Sequence, residues 1–320
     1  LLGVMAVSMP AWLVEIVSGR VLDFTAYRIV FKATLVLAEC GLIVSLGALA
    51  RAIGLRRPRL LAAGLYLLPS TWAGGAWFGQ IDVLGTWMLV ISAWSFVRYA
   101  AEAHTRFLAA GLAALHAAVL TKQLTLFSVP GLVLLAGLGI ARAGGGRLTR
   151  RTLCLAAAAA GSCALWFVPD FFVELGAGWT SHLAYVLWGG GSAHGNVLSG
   201  NGANIWGWMC SDPGASALEP VLLGVSARTL GIVLFCLAEA GFLAWLIRER
   251  HRLPVSGLVL FIGLTNLAMA VLLTGVHERY LVHGAPFLVL GLMAHAWPRG
   301  RWGRALAIAG WVAAGWSGLF

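Results

Sequence analysis

"LVLLAGLGIA", Leu132 to Ala141, runs ten residues without a charge. It does not alternate. A membrane barrel strand would switch between apolar and polar residues over about ten positions. A continuous apolar run predicts a helix in lipid instead. Working outward, such runs recur at about 28–50, 60–71, 82–97, 107–121, 123–141, 152–168, 220–247, 255–274, 280–297 and 303–320. Of the 320 residues, 60% are hydrophobic and only 11% charged. A soluble domain carries about 25% charged residues. The expected fold class is therefore all-α, a polytopic helical membrane protein of about ten spans over residues 28–320. Residues 1–27 read as the remnant of a first external loop, and 169–219 as a long external loop. Several spans are shorter than the ~20 residues of a comfortable crossing. Broken helices are tolerated where they line a cavity, and an external-face cavity is expected here.

The formal net charge is +10. In a soluble chain that balance would point to nucleic acid. Here the basic residues crowd into alternate connections. Arg51, Arg56, Arg57 and Arg59 form one group, Arg98 and Arg106 a second, and Arg142, Arg147, Arg150 and Arg151 a third. Arg248, Arg250 and Arg252 follow, then Arg299, Arg301 and Arg304. Sixteen of the 22 basic residues thus share one side, opposed there only by Glu102 and Glu249. Such loops are cytoplasmic. The other face holds residues 1–27, the tip near 72–82, the turn at Thr121–Gln123, the loop 169–219 and the turn at Val276–Arg279. Membrane lipids, not nucleic acid, are the expected surroundings.

Cys40, Cys154, Cys163, Cys210 and Cys236 show no CxxC spacing. They read as small apolar filler, not as a disulfide framework or a metal site. No cofactor is firmly implied, and a divalent metal is left open. The sequence begins at Leu1 and ends on "WVAAGWSGLF" without a polar tail, which reads as a fragment of a longer chain.

Four polar clusters fall on the external face. They are Gln80/Asp82, Lys122/Gln123, Asn201/Asn204/Trp206 and "HERY", His277 to Tyr280. Polar groups at helix mouths are costly unless water or partners satisfy them. A shared outward cavity would do so. Lys122, His277 and Arg279 are suited to donate to a phosphate. Asp82 and Glu278 are candidates for a proton acceptor, and tryptophans suit the apolar face of a sugar. Plainer readings stand beside these. Asp82 complements a helix dipole. Lys122 snorkels. "HERY" is a solvated turn. Trp72, Trp77, Trp166, Trp179, Trp188, Trp206 and Trp208 form an interfacial belt. Glu39 and Glu239, deep in apolar spans, pair inside the bundle. His116 and Asn266 make helix-to-helix polar contacts.

The order of motifs is more specific than any one of them: "WFGQIDVLGT", "LTKQLTLFSVPGLVLL", "NGANIWGWM", then "HERYLVHGAPFLVL". Over roughly residues 28–297 this resembles the GT-C superfamily of polytopic glycosyltransferases. The nearest branch is the bacterial proteins related to the mannosyltransferase that adds the second mannose of GPI anchors. The resemblance implies sugar transfer, with mannose expected, from a polyprenyl-phosphate donor to a lipid- or protein-linked acceptor. The expected setting is the outer face of a bacterial plasma membrane. It implies substrate-binding roles for Gln80, Asp82, Lys122, Gln123, Asn201, Asn204, Trp206, His277 and Arg279. It also implies an aspartate base, in a D-x-x-x-Y setting, in the first external loop. That base is expected upstream of residue 1, since Asp23 lies close to the next span and Glu15 is no better placed. The catalytic residue of this stretch is therefore left unassigned.

Two other classes compete. A lipid or solute transporter would use Glu39 and Glu239 as pathway residues, with paired repeats and midplane polar groups. No internal repeat is evident, and the polar residues gather at one face. A non-catalytic membrane assembly protein is the third reading.

Overall fold

A computed structural model of the chain describes residues 2–67, 81–143, 153, 155, 157, 196–199, 204–209, 214–249, 255–275, 278–296 and 300–316. In chain order the helices are α1 (Leu2–Ser18), α2 (Phe24–Ala52), α3 (Pro58–Tyr66), α4 (Asp82–Glu102) and α5 (Thr105–Thr121). A 3-10 turn, Gln123–Ser128, leads into α6 (Val129–Ala143). The short α7 (Ile205–Met209) and a hairpin of β1 (Pro220–Leu222) with β2 (Val225–Ser226) precede α8 (Ala227–Glu249) and α9 (Val255–Leu272). A second 3-10 turn, Glu278–His283, then introduces α10 (Ala285–Gly291), and α11 (Arg301–Trp316) follows. Five described segments are long and apolar enough to cross a membrane: Phe24–Ala52, Asp82–Glu102, Leu124–Arg142, Ala227–Glu249 and Val255–Leu272. Thr105–Thr121 and Ala285–His295 are apolar and shorter. These are the helices of an integral membrane protein, and the expected helical class is what the described chain adopts.

Local chemistry sets the helix ends. Asp23 caps α2, its carboxylate accepting from the Ala26 N–H at 2.7 Å, and Gly54 leaves the helix in the left-handed region at φ +81°. Asp82 stands in the first turn of α4, where a negative charge favours the helix dipole.

Three runs that the sequence suggests are single spans are divided. Over 123–141, Pro130 has no N–H to bond back to Leu126, so the α-helix starts only at Val129 and the preceding turn is 3-10. Over 280–297, Pro286 sits in the first turn of α10, with a 3-10 turn before it and a π-turn at Leu292–Ala296 after it. Over 220–247, residues 220–226 form the hairpin, turned by Leu223 and Gly224 at positive φ. Residues 1–27, expected as a connection, contain the 17-residue helix α1. Most of 152–168 and of 169–219 lies outside the described residues.

α4 and α9 are the inner helices, each with 67% of its apolar window buried, whereas α8 has 11% and lies at the periphery. Leu42, Leu46 and Leu49 of α2, Leu89 and Phe96 of α4, Leu135 of α6, Phe261 of α9 and Phe287 of α10 form one continuous core. At the far end of α4 from Asp82, Arg98 lies over the rings of Trp94 and Phe107 at 5.6 and 4.8 Å and pairs with Glu102. That end carries the Arg98–Glu102 pair, and the other end carries the polar cluster described next.

Candidate functional site

The cluster is built on the first turn of α4. Asp82 is 4% exposed. One turn on, the Thr86 hydroxyl donates to the Asp82 carbonyl at 3.0 Å and lies 2.9 Å from His283 Nδ1. Between them is Gly85. A Cβ there would lie 3.2 Å from Thr125 Cγ2, 3.5 Å from Lys122 Cβ and 3.6 Å from His283 Cε1. The bare backbone at Gly85 is thus where both 3-10 turns close on α4.

Lys122 reaches this point because of its backbone. α5 ends with the Lys122 N–H bonded to the Ala118 carbonyl at 3.0 Å. Lys122 itself is extended, φ −151° and ψ 125°, and the 3-10 turn starts at the next residue. The Thr125 hydroxyl and N–H both donate to the Lys122 carbonyl, at 2.7 and 3.1 Å, and fix that corner. The side chain then runs to Asp82, with Nζ 2.9 Å from Oδ1. That oxygen has no angularly well-formed hydrogen bond, so the contact is an ion pair. Low local dielectric strengthens such a pair, but both charges lose hydration.

His283 is the last residue of the second 3-10 turn and is fully buried. Gly284 follows, and a Cβ there would overlap Asn266 of α9. Asn266, also fully buried, donates to Ser128 Oγ at 2.9 Å and to the Ile262 carbonyl at 2.8 Å. It ties α9 to the first 3-10 turn, a polar contact between elements of the kind expected for it. Among the described residues, His283 Nε2 and Asn266 Oδ1 are buried polar atoms without a hydrogen-bond partner.

Asn204 and Trp206 stand at the end of α9. Asn204 Nδ2 donates to the carbonyls of Leu198 and Leu273, each at 3.1 Å, and its Oδ1 accepts from the Gly207 N–H at 2.8 Å. Trp206 Nε1 donates to the Leu272 carbonyl at 2.6 Å. Terminal helix carbonyls lack intrahelical donors, and these two buried side chains supply them. Their polar atoms thus join Leu198 and α7 to the end of α9.

Gln80, Asn201 and His277 lie outside the described residues, as do Trp72 and Trp77. For Gln123, Glu278 and Arg279 the structure gives the backbone, in the two 3-10 turns. The turn bearing Glu278 and Arg279 is the one that delivers His283 beside Gly85. Two clusters from distant sequence, at 82 and 122, are therefore joined directly, and His283, three residues after "HERY", is brought to them. Thr86, Thr125 and His283 escape the sequence reading. Its available signal was a second histidine in "HERYLVH", six residues after the first and leading into an apolar run.

The D-x-x-x-Y spacing does occur, at Asp23 and Tyr27. The structure gives both residues local roles: Asp23 caps α2, and the Tyr27 hydroxyl lies 2.9 Å from Ser8 Oγ. Trp87 Nε1 donates to Ser45 Oγ at 3.0 Å, which sets the start of α4 against the later part of α2. At 1.5 Å rise per residue, Asp23 is then on the order of 25 Å from Asp82 along the helix axis. It is not part of the cluster. Glu39 accepts from the Tyr66 hydroxyl at 3.3 Å and Glu239 from the Thr265 hydroxyl at 3.1 Å, the interior pairing expected of them.

Among the described residues, no group of three or more His, Cys, Asp or Glu is placed to hold a metal ion. No family model matches the chain, and neither a curated protein nor a solved structure matches it.

Proposed function

We propose that the chain is a membrane glycosyltransferase of the GT-C type. It moves a sugar, mannose in this reading, from a polyprenyl-phosphate donor to a lipid- or protein-linked acceptor on the extracytoplasmic face of a bacterial plasma membrane. About ten spans and an outward-opening cavity belong to the same proposal. The observation that supports it most is the meeting of Asp82, Lys122 and His283, the last residue of the turn Glu278–His283, at Gly85, from three distant stretches. A cation held at the mouth of a buried helix suits an anionic headgroup arriving from lipid. In the transfer, the acceptor oxygen bonds to the sugar's anomeric carbon as the bond from that carbon to the phosphate oxygen breaks. The electron pair stays on the phosphate, and the acceptor's proton passes to a general base. Lys122, oriented by Asp82, stabilises the charge that develops on the phosphate.

Arg279 is assigned to the same phosphate by its position in the turn. A charge-assisted hydrogen bond of this kind contributes roughly 1.5–3 kcal/mol, or about ten- to a hundredfold in affinity or rate. Binding and transfer are measured with polyprenyl-phosphate mannose at matched protein levels in liposomes. Arg279→Ala is expected to fall by that factor and Arg279→Lys to be intermediate, because lysine keeps the charge but not the planar fork. Unchanged donor affinity and turnover in Arg279→Ala would remove the assignment.

A further inference from the structure

Four arginines stand within nine residues where α2 turns into α3: Arg51, Arg56, Arg57 and Arg59. All four are exposed. No Asp or Glu occurs between Glu39 and Asp82. Among the described residues, none of the four guanidiniums has an ion-pair partner or lies over an aromatic ring. The turn between α4 and α5 is the contrast: Arg98 pairs with Glu102, and Arg98 and Arg106 both lie on the Phe107 ring. The helix dipole favours Arg51, in the last turn of α2, but disfavours Arg59, in the first turn of α3. The backbone holds the elbow in one shape. The Ile53, Gly54 and Leu55 N–H groups bond back to the carbonyls of Leu49, Arg51 and Ala50, each at 3.0 Å. Ile53 and Leu55 pack on the core. Arg57 is in the left-handed region at φ 58°, and Pro58 then starts α3.

An apolar stripe leads to these charges. Leu37 and Val44 of α2 are 70% and 73% exposed. Seven residues are close to two helical turns, so Leu37, Val44 and Arg51 share one face. At 1.5 Å rise per residue, Arg51 is about 10 Å beyond Val44 and about 20 Å beyond Leu37 along the axis. That length matches one leaflet, half of the roughly 40–45 Å of a bilayer with its headgroups. On α3, Leu60 and Leu67 repeat the pattern at 65% and 73% exposure, starting beside Arg59. We propose that the elbow between α2 and α3 binds an anionic phospholipid, with its phosphate among the elbow arginines and its acyl chains along Val44 and Leu37. Arginines directly after a membrane-crossing helix attract anionic headgroups. A zwitterionic lipid sets its own cation against its phosphate, and a free phosphate leaves the stripe unused. This site is separate from the Asp82–Lys122 cluster and does not depend on the glycosyltransferase reading.

The test titrates the whole chain, in a neutral detergent, with fluorescent phosphatidylglycerol and with fluorescent phosphatidylcholine, and records each variant's unfolding midpoint. The unmodified protein is expected to prefer phosphatidylglycerol, by a margin that shrinks as salt is raised. Arg51→Gln/Arg56→Gln/Arg59→Gln spares the strained Arg57. It is expected to lose about fivefold in phosphatidylglycerol affinity for each arginine removed, with phosphatidylcholine affinity unchanged. The same three positions changed to lysine should keep the preference, because the charge is retained. Arg98→Gln/Arg106→Gln, at the other turn, should keep it as well. No preference in the unmodified protein overturns the proposal. So does an equal loss in the elbow variant and in Arg98→Gln/Arg106→Gln, which is the mark of diffuse charge and no site. Glycerol phosphate has the phosphate without the acyl chains and should displace the lipid only weakly; displacement as potent as that by unlabelled phosphatidylglycerol means an anion site without a lipid, and also overturns it. If the glutamine variant does not fold, Arg51→Gln and Arg59→Gln are measured singly, and unchanged affinity in both overturns the proposal.

Discussion

Removing the lysine of the Asp82–Lys122 pair should destabilise the protein more than removing the aspartate. The two ends differ in exposure: the Asp82 side chain is 6% exposed and that of Lys122 28%. Breaking a buried pair costs about 3–5 kcal/mol when the remaining charge has no recourse. Lys122→Met leaves such a charge on Asp82. The first turn of α4 returns about 0.3–1 kcal/mol through the helix dipole, and water can follow part of the vacated path. The expected loss is therefore about 2–3 kcal/mol. Asp82→Asn leaves an ammonium group on a flexible stem that can turn to water, so about 1 kcal/mol is expected. The double variant carries no orphan charge and should be more stable than Lys122→Met by about 1–2 kcal/mol. Denaturation of the four proteins in one detergent, at neutral pH and low salt, gives the full cycle. A Lys122→Met loss no larger than that of Asp82→Asn, or a double variant no better than Lys122→Met, would refute the electrostatic argument.

Other parts of the site give separate tests. Asn204→Ala removes three hydrogen bonds, one of them to the end of α9, and should lower stability by about 2–4 kcal/mol, whereas Trp206→Phe removes one and should lower it by about 1 kcal/mol; equal effects would contradict this count of contacts. Gly284→Ala forces a Cβ into Asn266, so a loss of about 3 kcal/mol is expected in thermal unfolding, while Gly54→Ala, with open space but a positive φ, should lose about 1 kcal/mol. The arginine asymmetry predicts that Gly195→Cys, and not Arg147→Cys, is labelled by an impermeant thiol reagent from outside the cell; the reverse pattern would invert the topology.

The membrane helices were legible because lipid imposes one rule, continuous apolar length, and Leu132–Ala141 obeys it. Their interruptions were less so. Pro130 and Pro286 were visible, but a proline in the first turn of a helix and one that breaks a span look alike until the partner segments are known. Asp82 and Lys122 were legible as polar residues at helix ends on one side. Their contact was not, because nothing local to 82 or 122 specifies a partner forty residues away. His283 was hidden by its neighbours: in "HERYLVHGAPFLVL" the first four residues draw attention, and burial of the second histidine depends on the close passage of Gly284 past Asn266. Asn204 and Trp206 were legible as a pair, but what their polar atoms hold, the last carbonyls of α9, is a tertiary fact.

The central claim, a site for a polyprenyl-phosphate sugar, is tested most directly by the complete chain reconstituted in liposomes with radiolabelled polyprenyl-phosphate mannose and a polyprenyl or glycolipid acceptor fraction. The account predicts mannose transfer with release of bare polyprenyl phosphate, and no transfer when nucleotide-linked mannose replaces the lipid donor. Transfer from the nucleotide-linked sugar, or none from any polyprenyl-phosphate sugar, would contradict it.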